Sequence, residues 1–350
     1  MNKLNPIIFW EGFPVCGLII KKVVENYPNL VVLATKPSIP FKDLEKILNK
    51  KIIWLPENFN SKFLINKYNH CNLFIHTGWN NREILKFSKY IKKKNKAKIY
   101  VAVDNNLRYS FRQIIGFFYY RLYFSRLFDG ALVTGKKSRD LMIFFGLKPN
   151  KIHIGLYGAY ENIFLKKNDI SNRKNEFLFV GQFSERKSIN LLLEAFQVYR
   201  LKGGSWNLRI IGSGTDLKKI KNKEGIIIEG FMQPFKVAER MNEAKVFVLL
   251  SKVEHWGTVV CEAAACGMNL LLTKNIGSKE DLLIPGINGY EISSHSIKCI
   301  VGGFSYFEKM NLENLIIGSE KSINISKLYN SDTYFKAFIN ILQDEKFKLS

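Results

Sequence analysis

Apolar and polar positions along the 350 residues follow one pattern, used twice. Apolar runs of strand length occupy residues 7–10, 30–35, 52–55, 73–76, 99–103 and 131–134. Between them lie stretches with helical spacing, such as 18–26, 41–49 and 82–94. Strands alternating with helices predict a parallel, doubly wound sheet. The polar stretch 169–176 reads as a linker. A second series follows, with strands at 177–180, 208–211, 226–229, 246–250 and 270–273 and helices at 188–201, 215–221, 235–242 and 258–266. No period of 20–50 residues repeats, which excludes a solenoid. The amphipathic segment 332–344 is expected to pack back towards the first half. The pattern thus predicts an N-terminal domain over residues 1–168, a C-terminal domain over 169–330 and a closing helix within 331–350.

One helix-like segment departs from this pattern. Residues 111–127 are aromatic and aliphatic nearly all round, punctuated by Arg112, Arg121 and Arg126. Such a segment fits a core helix lying between sheet and solvent, or one inserted into a membrane interface.

Composition narrows the class. Apolar residues make up 47%, enough for large cores and too many for a disordered chain. No apolar run reaches the roughly 18 residues of a membrane-spanning helix. The chain enters its first strand almost at once, so no signal peptide is expected. The five cysteines are scattered without a Cys-x-x-Cys and fit free thiols in a reducing cytosol. The formal charge is +23, of which residues 1–170 carry +18. A basic half beside a nearly balanced one implies different partners for each, with an anionic membrane, a phosphorylated acceptor or nucleic acid as candidates for the first. A solvated lysine-rich surface is the plainer alternative.

Candidate chemistry concentrates after the strand at 246–250. There Glu254 and Glu262 stand eight positions apart, and Trp256, Gly257 and Thr258 lie where a helix should begin. Helix N-termini present unpaired N–H groups and a partial positive charge, and so bind phosphate. Two helical turns cover about 11 Å, roughly the reach from a sugar ring across a diphosphate to a ribose. One loop and helix could therefore hold both ends of a nucleotide-sugar. Earlier, Gly181-Gln182-Phe183-Ser184-Glu185-Arg186-Lys187 gives a glycine turn and then a basic pair. Further turns follow at Gly212-Ser213-Gly214, Gly230-Phe231, Gly277-Ser278-Lys279-Glu280 and Gly286-Ile287-Asn288-Gly289. In the first half, His76 and Asp104 are the ionisable groups at strand ends, and Gly12 lies in the first loop.

The order of these motifs over residues 177–292 resembles the C-terminal half of retaining GT-B glycosyltransferases of the family-four, group 1 type. The resemblance implies an α/β fold of two Rossmann-like doubly wound domains facing a cleft. It also implies transfer of a sugar from a nucleotide-diphosphate sugar, with the anomeric configuration kept. Carried over by position, Lys187 would contact the diphosphate, Glu254 the donor sugar and Glu262 the ribose. N–H groups near Trp256, Gly257 and Thr258 would hold sugar and phosphate, Gly212 would let backbone approach the ligand, and Gly230 with Phe231 would lie by the base. Gly12 would bring the first loop to the phosphates. From their own place at strand ends, His76 or Asp104 could orient the sugar or the acceptor hydroxyl, or simply cap the strands. No cofactor and no metal are implied. Substitution of Glu254 or Lys187 is expected to reduce transfer far more than stability.

Two positions depart from the family's pattern. Gln182 stands where an arginine is usual, which removes a cation that Arg186 could replace. Ser188 replaces a common glycine after Lys187, a change a helix start should accommodate. The basic first half suits a lipid-linked or cell-surface glycan acceptor, such as a lipopolysaccharide or polysaccharide precursor. The expected location is cytoplasmic, peripheral on the inner face of the membrane, with no nucleic acid. The competing readings are a synthase or phosphorylase of the same fold, a basic nucleic-acid-binding protein and a non-catalytic sugar-nucleotide-binding homologue.

Overall fold

The computed structural model describes residues 4–37, 41–214 and 224–344. The helix expected at 215–221 lies outside the described residues. The chain divides into two compact units, Met1–Tyr157 with Ser331–Ser350, and Gly158–Asn330.

The first unit runs β1 (Pro6–Trp10), α1 (Lys21–Asn26), β2 (Val31–Thr35), α2 (Leu44–Leu48), β3 (Ile52–Leu55), α3 (Ser61–Tyr68), β4 (Leu73–Thr77), α4 (Arg82–Asn95), β5 (Lys98–Val103), α5 (Phe111–Tyr123), β6 (Gly130–Val133), α6 (Lys136–Phe144) and β7 (Ile152–Ile154). Its strands are parallel, in the order β3-β2-β1-β4-β5-β6-β7. The central strands are apolar on both faces because helices cover both; β1 and β6 are buried along their whole length. Three residues, Ile152-His153-Ile154, are too short a run to stand out in sequence, and β7 was not among the expected strands. The order reverses between β1 and β4. Loops leaving their C-terminal ends therefore diverge and open a crevice, the usual place for a ligand in such sheets.

The second unit runs β8 (Lys174–Val180), α7 (Ile189–Leu201), β9 (Asn207–Ile211), β10 (Ile226–Glu229), α8 (Pro234–Met241), β11 (Ala244–Leu249), α9 (Thr258–Ala265), β12 (Asn269–Thr273), α10 (Lys279–Leu282), β13 (Gly289–Ile292), α11 (Ile297–Lys309) and α12 (Leu312–Ser326). Its parallel order is β10-β9-β8-β11-β12-β13, reversing between β8 and β11. Helices α7 and α11 pack on each other over Phe177, whose ring touches Tyr199 and Phe304. Helix α9 packs on α12.

The polar stretch 169–176 is not a linker. A 3-10 turn fills Ile170–Asn172 and β8 begins at Lys174. Between them Arg173 is buried. It donates to the carbonyls of Asn168, Met241, Ala244 and Cys266, so it closes the C-terminal ends of α8 and α9. Residues before it also belong here: Ala159 N–H donates to Tyr329 O, and Lys167 N–H to Asn242 Oδ1. The break in the chain thus falls after Tyr157, not at residue 168.

The last helix, α13 (Ser331–Asp344), belongs to the first unit. It packs on the 3-10 turn Val15–Ile20, on α1 and on β7. Tyr334 meets Trp10 and Phe338 meets Tyr27, and Lys22 pairs with Asp332.

Helix α5 is not a core helix: Tyr120 is its one buried residue. Among the described residues no helix is long and apolar enough to cross a membrane.

Arg173 gives a test of this fold. Arg173→Leu keeps volume but strips three buried carbonyls, and the part-buried one of Asn168, of their donor. Unpaired buried acceptors cost about 1–3 kcal/mol each before relaxation, so urea denaturation should show a loss of about 3 kcal/mol.

Candidate active site

At the second unit's reversal point two loops meet. One leaves β8 as Gly181 to Ser188, the other leaves β11 as Leu250 to Gly257. The loop after β9 lies against the first of these. A Cβ on Gly212 would sit 1.9 Å from the carbonyl oxygen of Gly181, so the crossing admits only glycine there. The N–H of Phe183 donates to Ser213 O across the same contact.

Glu254 joins the two main loops. Its carboxylate pairs with Lys187 Nζ, and its Oε2 lies 2.9 Å from Arg186 Nη1. Ser251 Oγ donates to the same oxygen at 3.3 Å. The backbone of Glu254 is fixed as well, through Asn275 O and Gly277 N–H. Burial pushes the Glu254 carboxyl up, but Lys187 and Arg186 together hold it below its ordinary value. Lys187 is buried on its side. Burial pulls its ammonium down, and Glu254 offsets this only in part. Arg186 is half exposed and also donates to Val253 O.

The turn after Glu254 sets up α9. Gly257 has φ +84, the left-handed region, and a Cβ there would lie 3.2 Å from Glu254 Cγ. Trp256 is buried against Tyr329, with ring centroids 5.3 Å apart. Among the described residues the N–H groups of Gly257, Thr258 and Val259 make no hydrogen bond. They form an N-terminal donor set beside the Lys187–Glu254 pair. Glu262 stands one turn further on, partly accessible, its carboxyl with no hydrogen bond or ion pair among the described residues. Burial alone pushes its carboxyl up to about 7. An unpaired carboxylate in apolar surroundings is an acceptor awaiting a hydroxyl partner.

Other expected site residues fall differently. Gln182 is exposed next to this site. Gly230 is exposed, and a Cβ there would meet nothing within 4 Å, so no close approach requires glycine. Phe231 beside it is half exposed. Ser188 has φ +56 and caps α7 in a left-handed conformation, with its Oγ buried and unpartnered. The helix start therefore does not accommodate serine as readily as the sequence implied, because a Cβ is disfavoured there.

The first unit carries a cavity of about 250 Å³ at its own reversal point. Glu11, Asn80, Asp104, Asn105 and Tyr157 supply its polar wall, and Trp79 an aromatic one. Sequence reading found Asp104 there but missed Glu11 and Tyr157, which adjacency to strand ends could have suggested. Burial first, then Cys16 and Asp104, push the Tyr157 phenol well above its ordinary value, so it remains a donor. His76 does not reach this cavity. It is fully buried, with Nδ1 3.2 Å from Gly78 O and its ring against Phe74 and Phe128. Burial lowers its pKa to about 4, so it stays neutral at physiological pH. It orients the β4 end from within the core. Gly12 has φ +66, but its N–H donates to Thr35 Oγ1, and the N–H groups of Glu11 and Phe13 donate to Thr77 and Thr35. These three amides of the first loop are therefore engaged within the unit.

Residues 161–322 match the family model described as Glycosyl transferases group 1. The match lies within the second unit, Gly158–Asn330. An uncharacterized glycosyltransferase of Haemophilus influenzae is 27% identical over 190 residues, 53% of this chain and 54% of that protein. An uncharacterized glycosyltransferase of Methanocaldococcus jannaschii is 30% identical over 118 residues, 32% of each. The chain thus spans about half or less of the curated relatives it matches. The crystal structure of Anabaena HepE in complex with UDP and glucose matches with a TM-score of 0.76 at 13% identity, over 97% of this chain and all of that one. The apo lipopolysaccharide outer core galactosyltransferase WaaB matches with a TM-score of 0.68 at 16% identity, over 97% and 99%. At such identities the likeness establishes the fold, GT-B with two Rossmann-like domains. The stretch that matches the family model contains Lys187, Glu254, α9 and Glu262.

The ion pair changes what single substitutions do. Glu254→Gln leaves Lys187 buried without a carboxylate, and breaking such a pair costs about 3 kcal/mol. Lys187→Met costs less, because Arg186 still faces Glu254. The double variant should cost less than the two singles combined, as a denaturation cycle would show. Ser188→Gly should gain about 1 kcal/mol by relieving the left-handed serine.

Glu262 makes stability depend on pH. Between 4.5 and about 7 the folded chain keeps a proton there that the unfolded chain has released. Stability falls as pH rises through that window and then levels. Glu262→Gln should therefore stabilise by on the order of 2 kcal/mol at pH 8 and by little at pH 4.5, read from melting temperatures at both.

Proposed function

We propose that the protein is a retaining hexosyltransferase. In this reading it moves a sugar from a nucleoside-diphosphate sugar to a lipid-linked or cell-surface glycan acceptor at the cytoplasmic face of a membrane. The observation that carries this reading is the juxtaposition of Lys187, Glu254, the open α9 N-terminus and the unpaired Glu262. The diphosphate takes the α9 N–H groups and draws Lys187 and Arg186 away from Glu254. Glu254 is then released to accept hydrogen bonds from the sugar, while Glu262 accepts from the ribose and Phe231 flanks the base. The bond from the anomeric carbon to the diphosphate breaks with its electron pair going to the phosphate oxygen, while the acceptor hydroxyl oxygen bonds to that carbon and its proton passes to the departing diphosphate. Lys187 and the helix N-terminus stabilise the charge that develops there. These fixed positive groups do the work a divalent cation would otherwise do. In the first unit Glu11, Asp104, Asn80 and Asn105 offer acceptors and donors suited to a sugar hydroxyl of the acceptor.

The likeness to proteins solved with UDP and glucose, and to a lipopolysaccharide galactosyltransferase, supports the donor class and the acceptor class. One observation favours a second reading, a non-catalytic sugar-nucleotide binder: Gln182 brings no cation, and Arg186 is already engaged with Glu254.

Thermal protection by a panel of uridine-, guanosine- and thymidine-diphosphate sugars tests the first reading. At least one should raise the melting temperature, and mass spectrometry should detect transfer to a glycan acceptor. Protection by none of them overturns the reading, while protection without transfer favours the second. Gln182→Arg should tighten diphosphate binding up to about tenfold by adding a charge-assisted hydrogen bond. Unchanged affinity would mean that Arg186 already fills the role.

A further inference from the structure

Helix α5 turns its apolar stripe to solvent. Phe111, Ile115, Phe118 and Leu122 are 76%, 56%, 66% and 74% exposed. At about 100° per residue these four fall within a band roughly 60° wide. Tyr120, diametrically opposite, anchors the helix against Trp79 and Phe145, and Phe117 packs on Phe144. Ile114, Tyr119 and Tyr123 widen the exposed face. A contiguous apolar face of this kind is uncommon on a soluble surface without a partner.

Charge identifies the partner. Arg112 and Arg121 project about a quarter turn to either side of the stripe. From Asn105 to Phe128 the chain has four arginines and no acidic residue. Arg121 lies over the Phe117 ring and beside Gly146, near the exposed Lys148. A second copy of the helix would bring arginines against arginines. Apolar residues flanked by cations, with tyrosines at the margins, instead match an interface of acyl chains below anionic headgroups.

We propose that α5 is an interfacial anchor that docks the first unit on an anionic lipid bilayer. The helix lies in the headgroup plane, with Phe111, Ile115, Phe118 and Leu122 entering the acyl boundary and Arg112 and Arg121 on lipid phosphates. Through Tyr120 and Trp79 the anchor adjoins the Glu11–Asp104 cavity. Docking therefore brings that cavity close to the bilayer surface, where a lipid-linked acceptor would be. This last link rests on the transferase reading; the anchor itself does not.

The test is flotation of the full-length protein, without nucleotide, on vesicles rich in phosphatidylglycerol and on vesicles of phosphatidylcholine alone. The protein should bind the anionic vesicles at least about tenfold more tightly, since each cation near such a surface adds to binding. Phe118→Asp with Leu122→Asp should lower partitioning by a further tenfold or more, with an unchanged melting temperature. Leu122→Trp, which keeps the bulk, should show blue-shifted emission on anionic vesicles and quenching by brominated lipid. Equal binding to both vesicle types overturns the proposal. So does binding that depends on the arginines but not the stripe, the behaviour of a nucleic-acid surface. Self-association in ultracentrifugation that the aspartates abolish would mean that the stripe joins two copies instead, and also overturns it. Because nucleotide protection is read separately, loss of the anchor and loss of the transferase reading are distinguishable.

Discussion

A carboxylate held between two cations organises the second unit's reversal point. Glu254 and Lys187 are both largely out of water, and neither would be tolerated there as a lone charge. Pairing them ties the loop after β8 to the loop after β11. It thereby fixes where the chain turns at Gly257 and where α9 begins. Two glycine-dependent features serve the same geometry. Gly212 lets the β9 loop cross Gly181, and Gly257 takes the left-handed turn beside the Glu254 side chain. The result is a set of unsatisfied N–H donors next to a cation whose partner can be exchanged. Such an arrangement is poised to accept an anion, because the anion replaces one negative partner of Lys187 by another.

The first unit has a comparable crevice with opposite chemistry. Its cavity is lined by carboxylates, amides and a phenol, and its loop amides are already engaged with Thr35 and Thr77. It is suited to neutral hydroxyl groups and ill suited to a diphosphate. In the proposed transfer, the division of labour between the units follows from which backbone donors each leaves unpaired. The aromatic cluster of Trp79, Tyr120, Phe124 and Phe145 then connects that cavity to α5, whose outer face carries most of the exposed large apolar side chains among the unit's described residues.

Much of this was legible in the sequence, for a local reason. Strand and helix periods are properties of neighbouring residues, so the strands that carry both switch points were readable as runs, while β7, three residues long, was not. The glycine, basic pair and spaced glutamates of the second half also stand in order along the chain, which is why residue order alone carries the group 1 character. The identities of Glu254, Glu262 and Lys187 belong to this class of information.

Other features depended on parts of the chain that meet only on folding. The Lys187–Glu254 pair joins residues 67 apart, and only their contact shows that each stabilises the other. His76 sits at a strand end like Asp104, yet packing of Phe74 and Phe128 buries one, while the cavity exposes the other. The apolar residues of 111–127 were visible, but not that their stripe faces outward; Tyr120 inserted between Trp79 and Phe145, with Phe117 against Phe144, decided that orientation. Sequence thus determined which elements form and which chemical groups they carry, because backbone period and residue type are local. Tertiary structure decided which groups are charged, paired or open to solvent, because desolvation and Coulomb energy depend on every segment that folds back around them.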